Sequence, residues 1–272
     1  VHGAAGQTVG HRFAGLLDQS LFSWVADLPL EDGRITIFEP PDPDEQDNYV
    51  AGADFAYGLK GKDYDAVVLA RKTAEGQLVQ VAEAVGHWGD IFFAETLYGL
   101  CTYYYVAFLC GERQVGLPTM RRLFDEMGYT HQYLNRLAAA RSDRRQSDFL
   151  GHHRSAGDTI IANLRLAVKR HDIVIRSEET RQQLVRYQFK PRAKTALMDD
   201  IESSTDLVTG APAGEHDDLV MALAYCWHAA REKIHFTRPD PGYREGTFGK
   251  VLNVDKVLKG EPEKQDPYAI KY

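Results

Sequence analysis

The chain has 272 residues, of which 44% are hydrophobic, 26% charged and 11% aromatic, and it carries a formal net charge of −7. That is enough length and apolar content for a packed core, and no apolar run reaches the ~18 residues needed to span a bilayer. Cys101, Cys110 and Cys226 are odd in number, far apart and without a C-x-x-C pair, which argues against a disulfide framework or a structural zinc site.

The first residues, VHGAAGQTVGHRF, carry no basic-then-apolar leader pattern and no initiating Met, so an intracellular fragment whose natural start lies upstream is expected. A short helical piece, HRFAGLLDQSLFSWVADL, precedes the proline-rich acidic stretch FEPPDPDEQDN, and residues 1–47 read as a lead-in or linker. From Tyr49 the texture changes. YVAGADFAYG, YDAVVLARK and GQLVQVAEAVG are three strand-like segments at hairpin spacing. A helix over WGDIFFAETLYGLCTYY and the apolar stretch YYYVAFLC follow. GLPTMRRLFDEMGY has proline near an expected helix start and glycine at its end. THQYLNRL reads as a short strand before the basic loop AARSDRRQSDFLGHHRSAG. An amphipathic helix (GDTIIANLRLAVKR), a short strand (DIVIR) and a helix opened by serine and early acids (SEETRQQLVRY) come next. A polar, turn-rich stretch leads to GEHDDLVMALAYCW, a helix apolar all round and therefore buried. Residues 48–232 form the expected domain, and 233–272 read as a tail or extended arm. Strands followed by alternating helices and strands predict an α/β domain with a mixed sheet covered by helices.

Charge is distributed unevenly. Residues 31–65 hold ten acids and three bases, whereas residues 112–194 hold seventeen Lys and Arg against nine Asp and Glu. A basic middle beside acidic clusters suits a metal-dependent enzyme acting on a polyphosphate, although solvated helix faces would give the same counts.

Four acids stand out by position. Asp54 closes a strand that is otherwise wholly apolar, Glu112 follows the strand-like run ending in Cys110, and Asp217 and Asp218 open the buried helix. Each has a plainer role: an Asx-turn for Asp54, a surface loop for Glu112, helix capping for the pair. Together they are harder to dismiss, because the carboxyl ends of strands form the working edge of an open α/β sheet. Carboxylates gathered there need divalent cations to neutralise them, and hard oxygen ligands suit Mg²⁺ or Mn²⁺.

AGADFAYGLKGKDYDAVVLA, VAFLCGERQVG and GEHDDLVMALAYCW together resemble the nuclease domain of the large terminase subunit of tailed bacteriophages, which has a ribonuclease H-like fold. The matching features are Asp54 at the end of the first strand, the glycine-lysine turn leading to Asp63, the ERQVG segment with Gln114 where asparagine is commoner, and HDDLV at residues 216–220. The resemblance implies three antiparallel strands followed by parallel ones, flanked by helices. It also implies an endonuclease that cuts concatemeric viral DNA during packaging, in the host cytoplasm, with the portal protein and small terminase subunit as partners. Two divalent cations, Mg²⁺ or Mn²⁺, would be held by Asp54, Glu112 and Asp218, with Asp217 as a ligand or its neighbour, and with Asp63 and His216 as further candidates. Lys60, Lys62, Arg121, Arg122, Arg141, Arg144, Arg145 and Arg154 would then track the DNA backbone without reading bases. No phosphate loop ending in Lys-Ser/Thr occurs, so the packaging ATPase expected of a whole large subunit is missing. Two other readings stay open: a ribonuclease H-like junction resolvase or transposase core, and a non-catalytic domain that binds DNA or the portal.

Overall fold

The structure is a computed structural model that describes residues 7–8, 33–56, 63–135, 144–153, 160–191, 207–210 and 216–232. The expected lead-in helix and the tail at 233–272 lie outside the described residues.

The frame is a meander. Strands β3 (Tyr49–Asp54), β4 (Asp65–Lys72) and β5 (Leu78–Gly86) pair antiparallel in succession, and β6 (Phe108–Gly111) runs parallel to β3 on its other side. A parallel neighbour needs a crossover, which here is helix α1 (Gly89–Tyr103). On the far side β5 pairs with β2 (Gly33–Ile37) and, at its other end, with the two-residue β7 (Ile173–Val174), while β1 (Gln7–Thr8) pairs with β2. The expected mixed sheet, three antiparallel strands followed by a parallel one and flanked by helices, is therefore present. Strand β2 belongs to the sheet, which starts earlier than the domain start expected at residue 48. The change of texture at Tyr49 marks the first two-sided buried strand, whereas β2 lies near the sheet's edge. The acidic segment after β2 is tied down as well: Glu39 pairs with Arg71 at 3.0 Å and with Arg176 at 2.6 Å.

Both faces of the sheet are covered, so the central strands are buried on both sides rather than alternating. Ala51, Ala53, Val67 and Leu69 pack toward α1, with Phe93, Leu97 and Leu100. Val50, Val68, Phe108 and Cys110 pack on the opposite face with α3 (Ile160–Lys169) and the final helix α5 (Asp218–Glu232). Helix α2 (Arg113–Arg121) begins directly after β6, so Pro118 lies inside it rather than near its start. The strand passes into the helix through Glu112, whose backbone is still extended. Gly128, at φ 72°, follows as the expected stop.

Helix α4 (Glu178–Arg186) is fastened to the sheet by a buried carboxylate. Glu83 on β5 accepts hydrogen bonds from Ser177 Oγ, Thr180 Oγ1 and Gln80 Nε2, at 2.9, 2.9 and 3.0 Å. Ser177 Oγ in turn accepts from the Thr180 N–H, capping the helix as its sequence suggests. Burial pushes the Glu83 carboxyl above its ordinary range in spite of these donors. Outside the main sheet, β8 (Gln188–Pro191) and β9 (Leu207–Gly210) form an antiparallel pair within the stretch expected to be turn-rich.

Helix α5 and strand β3 approach each other closely at Gly52. A Cβ there would lie 2.0 Å from Cys226 N and 2.2 Å from Ala222 O, so the backbone of α5 rests on that of β3 with no room for a methyl group. Gly52→Ala is expected to destabilise the protein by about 3 kcal/mol or more, read as a lower urea midpoint. An unchanged midpoint would contradict this packing.

Candidate metal centre

Strand register decides which acids can meet. Ala53 pairs with Gly111 across the parallel β3–β6 ladder, and Glu112 N–H donates to Ala53 O at 3.1 Å. Asp54 and Glu112 are therefore the next neighbours in register, one strand spacing of ~4.8 Å apart. Alternation gives their faces. Val50 packs on the α5 side whereas Ala51 and Ala53 pack on the α1 side, so position 54 belongs to the α5 face. Phe108 and Cys110 likewise face α5, which places Glu112 there too.

Phe55 holds these two strand ends together. A Cβ on Gly111 would come within 2.5 Å of its ring, and one on Gly116 within 2.1 Å. The two glycines flanking ERQV thus make a seat for the ring that follows Asp54. That seat is the physical reason for the motif's small residues.

Helix α5 brings in the other half. Ala222 and Cys226 straddle Gly52, and Cys226 Sγ lies 3.7 Å from Val50 O. The helix therefore runs antiparallel to β3. Asp218 lies one turn before Ala222, ~6 Å along the helix axis, and Asp54 lies two residues past Gly52, ~6.6 Å along the strand. Both displacements point to the same end of the sheet on the same face.

At that end Asp63, His216 and Asp218 each offer a ligand atom within 4.8 Å of the others. Asp63 and His216 are exposed, but Asp218 is only 2% exposed. Among the described residues its Oδ2 is buried without a hydrogen-bond partner, with His216 Nδ1 at ion-pair distance, 3.4 Å. Burial raises the Asp218 carboxyl to about 7; a hydrogen bond from the Tyr64 backbone opposes the shift, and the charges of Asp63 and Asp217 reinforce it. Asp217 is half-buried, and its carbonyl accepts from Met221 N–H at 2.9 Å, so its backbone starts the helix. Gln183 on α4 accepts from Leu219 N–H at 3.0 Å and satisfies one of the free donors of the first turn.

Three residues here escaped the sequence reading. Asp65 is 1% exposed and accepts from Ala56, Trp88 and Gly89 N–H at 2.8, 3.1 and 2.9 Å. It lies on the α1 face, joins the loop after β3 to the start of α1, and burial still raises it to about 6. Asp63 and Asp65 are two residues apart, so strand alternation gives them the same face, and only the three backbone donors around Asp65 set it apart from Asp63. Gln183 and Tyr64 carry no such signal, since both reach the site through tertiary packing.

The arginines expected to track DNA divide differently. Arg121 is paired with Asp148, and Arg122 with Glu126 at 3.2 Å. Arg113 donates to Asp148 O and lies over the Phe149 ring at 5.6 Å. These contacts anchor the basic loop to α2. Arg144 and Arg145 are exposed. Lys60, Lys62, Arg141 and Arg154 lie outside the described residues.

No family model and no curated protein matches the chain. In solved structures the fold is similar to that of the large terminase nuclease from thermophilic phage G20c, at 18% identity and a TM-score of 0.49, covering 71% of this chain and 87% of that one. The same nuclease with bound magnesium gives 17% and 0.48, covering 71% and 86%. The yeast mitochondrial Holliday junction resolvase Ydc2 gives 13% and 0.30, covering 68% and 81%. These likenesses concern the fold; chemistry has to be read from the side chains.

A buried acid raised to about 7 carries a definite sign. Above that pH the fold must hold a charge that the unfolded chain hydrates freely, so the metal-free protein loses stability as pH rises from about 4 to 7. Asp218→Asn is expected to stabilise the metal-free protein at pH 8 by about 1–3 kcal/mol, with the gain gone at pH 4. The same substitution should remove the rise in melting temperature that Mn²⁺ gives the unsubstituted protein. A variant less stable at pH 8, or equally stabilised by Mn²⁺, would contradict the site.

Proposed function

We propose that this chain is a metal-dependent DNA endonuclease, the nuclease part of a phage large terminase, cutting concatemeric DNA during genome packaging in the host cytoplasm with little sequence preference. The observation that carries the reading is the orphaned, buried Oδ2 of Asp218, facing Asp63 and His216 on the face to which Asp54 and Glu112 also belong. A buried acceptor without a donor is costly unless something positive meets it. A hard divalent cation fits this set of carboxylates and one imidazole.

Asp54, Glu112, Asp63 and Asp218 would hold the ions, with His216 at the rim and Asp217 beside them. Two divalent cations, when bound, supply an acidified water and neutralise the charge on the leaving oxygen. The chain's own contribution is placement. Phe55 fixes Asp54 against Glu112, Gln183 and the Tyr64 backbone fix Asp218, and the packing at Gly52 fixes one group against the other. His216 is exposed, with Nδ1 3.4 Å from Asp218 Oδ2. The surplus of cations in residues 112–194 supports a polyphosphate substrate. Portal and small-subunit partners belong to the same reading.

Nicking of supercoiled plasmid tests it. With Mn²⁺ the protein should cut, and Asp54→Ala should lower the rate by a hundredfold or more, about 2.7 kcal/mol of barrier, with an unchanged circular-dichroism spectrum. Equal cutting by both proteins would reject this centre, and so would no cutting by either. A strong preference for four-way junctions over linear duplex would move the assignment to a resolvase.

A further inference from the structure

A cleft of about 510 Å³ opens beside the metal centre, a size ordinary for a small-molecule site. His216 belongs to both, so the cleft adjoins the candidate centre. One wall is Tyr64. Its ring is approached at a tilt by two imidazoles, with centroids 4.1 Å from that of His87 and 4.7 Å from that of His216.

The facing wall is α4. Gln183 gives its amide oxygen to Leu219 N–H, and its Nε2 donor has no partner among the described residues. Arg186 lines the same wall. The rim carries Glu178 and Glu179, neutralised by Arg181 and Arg34 respectively. An aromatic wall and an uncommitted amide suit a nucleobase, which offers a flat π-face and acceptors at its edge.

We infer that this cleft binds the base and sugar of the nucleotide adjoining the cleaved phosphodiester, with the base stacked on Tyr64 and an edge acceptor taking the Gln183 amide hydrogen. The inference rests on the nuclease reading and goes beyond it by naming the subsite. Stacking tolerates every base, so the subsite orients the strand without selecting a sequence.

Thymidine 5′-monophosphate is the probe, titrated calorimetrically into the Mn²⁺-loaded chain. Tyr64→Ala and Tyr64→Leu should weaken it about tenfold, the loss of one base stack, and Tyr64→Phe should leave it within about twofold of the unsubstituted protein. Tyr64→Leu keeps the wall filled should the alanine variant fold poorly. Mn²⁺ alone, and inorganic phosphate on the Mn²⁺-loaded protein, should bind all four proteins alike. Nucleotide affinity unchanged in Tyr64→Leu, with Mn²⁺ still binding, would overturn the subsite and leave the nuclease reading standing. Failure of the unsubstituted protein to bind Mn²⁺ would overturn both.

Discussion

Everything at the candidate centre depends on one close approach, the backbone of α5 lying on β3 at Gly52. Helices usually keep off a sheet by a layer of side chains; here that layer is missing at one point. The contact fixes both the height and the direction of α5, which runs back along β3 toward its carboxyl end. The periods of the two elements, four residues of helix against two of strand, carry Asp218 and Asp54 toward the same end and face of the sheet, while the group gathered within 4.8 Å is Asp63, His216 and Asp218.

That arrangement loads one end of the sheet with negative charge, and the fold resolves the cost in two ways. Asp65 and Glu83 are buried but satisfied, each by three donors, and their work is to fasten α1 and α4 to the sheet. Asp218 is as deeply buried, and its Oδ2 has no hydrogen-bond partner among the described residues, only the His216 imidazole at 3.4 Å. The difference separates structural carboxylates from a candidate ligand more sharply than burial or pKa direction, which all three share. Helix α4 links the two kinds. Its first turn hangs on Glu83 and its last turn reaches Leu219, so a structural acid on β5 supports the helix start that carries the candidate ligand on α5.

Much of this was legible in the sequence. The three-strand meander and the buried final helix follow from runs of apolar residues and from turn glycines, and the parallel strand after the meander is what the resemblance implies. Asp54, Glu112 and Asp218 stood out because each interrupts or bounds such a run. Other features were hidden for physical reasons. Strand β2 is short and lies beyond the meander, so its pattern resembled a linker. Helix α2 starts before its proline because the end of β6, not the proline, sets its first turn. The triad of Asp63, His216 and Asp218 joins residues more than 150 positions apart through tertiary packing. Arg121 and Arg122 looked like surface cations, but their partners Asp148 and Glu126 show only in three dimensions.

The central claim is that distant carboxylates converge on a cation. Anomalous diffraction from a crystal soaked in Mn²⁺ tests it most directly. A peak bounded by Asp54, Asp63 and Asp218, with Glu112 at its edge, is the expected result. Diffraction showing no manganese at that end of the sheet, while Asp218 Oδ2 takes a hydrogen bond from a protein donor instead, would contradict it.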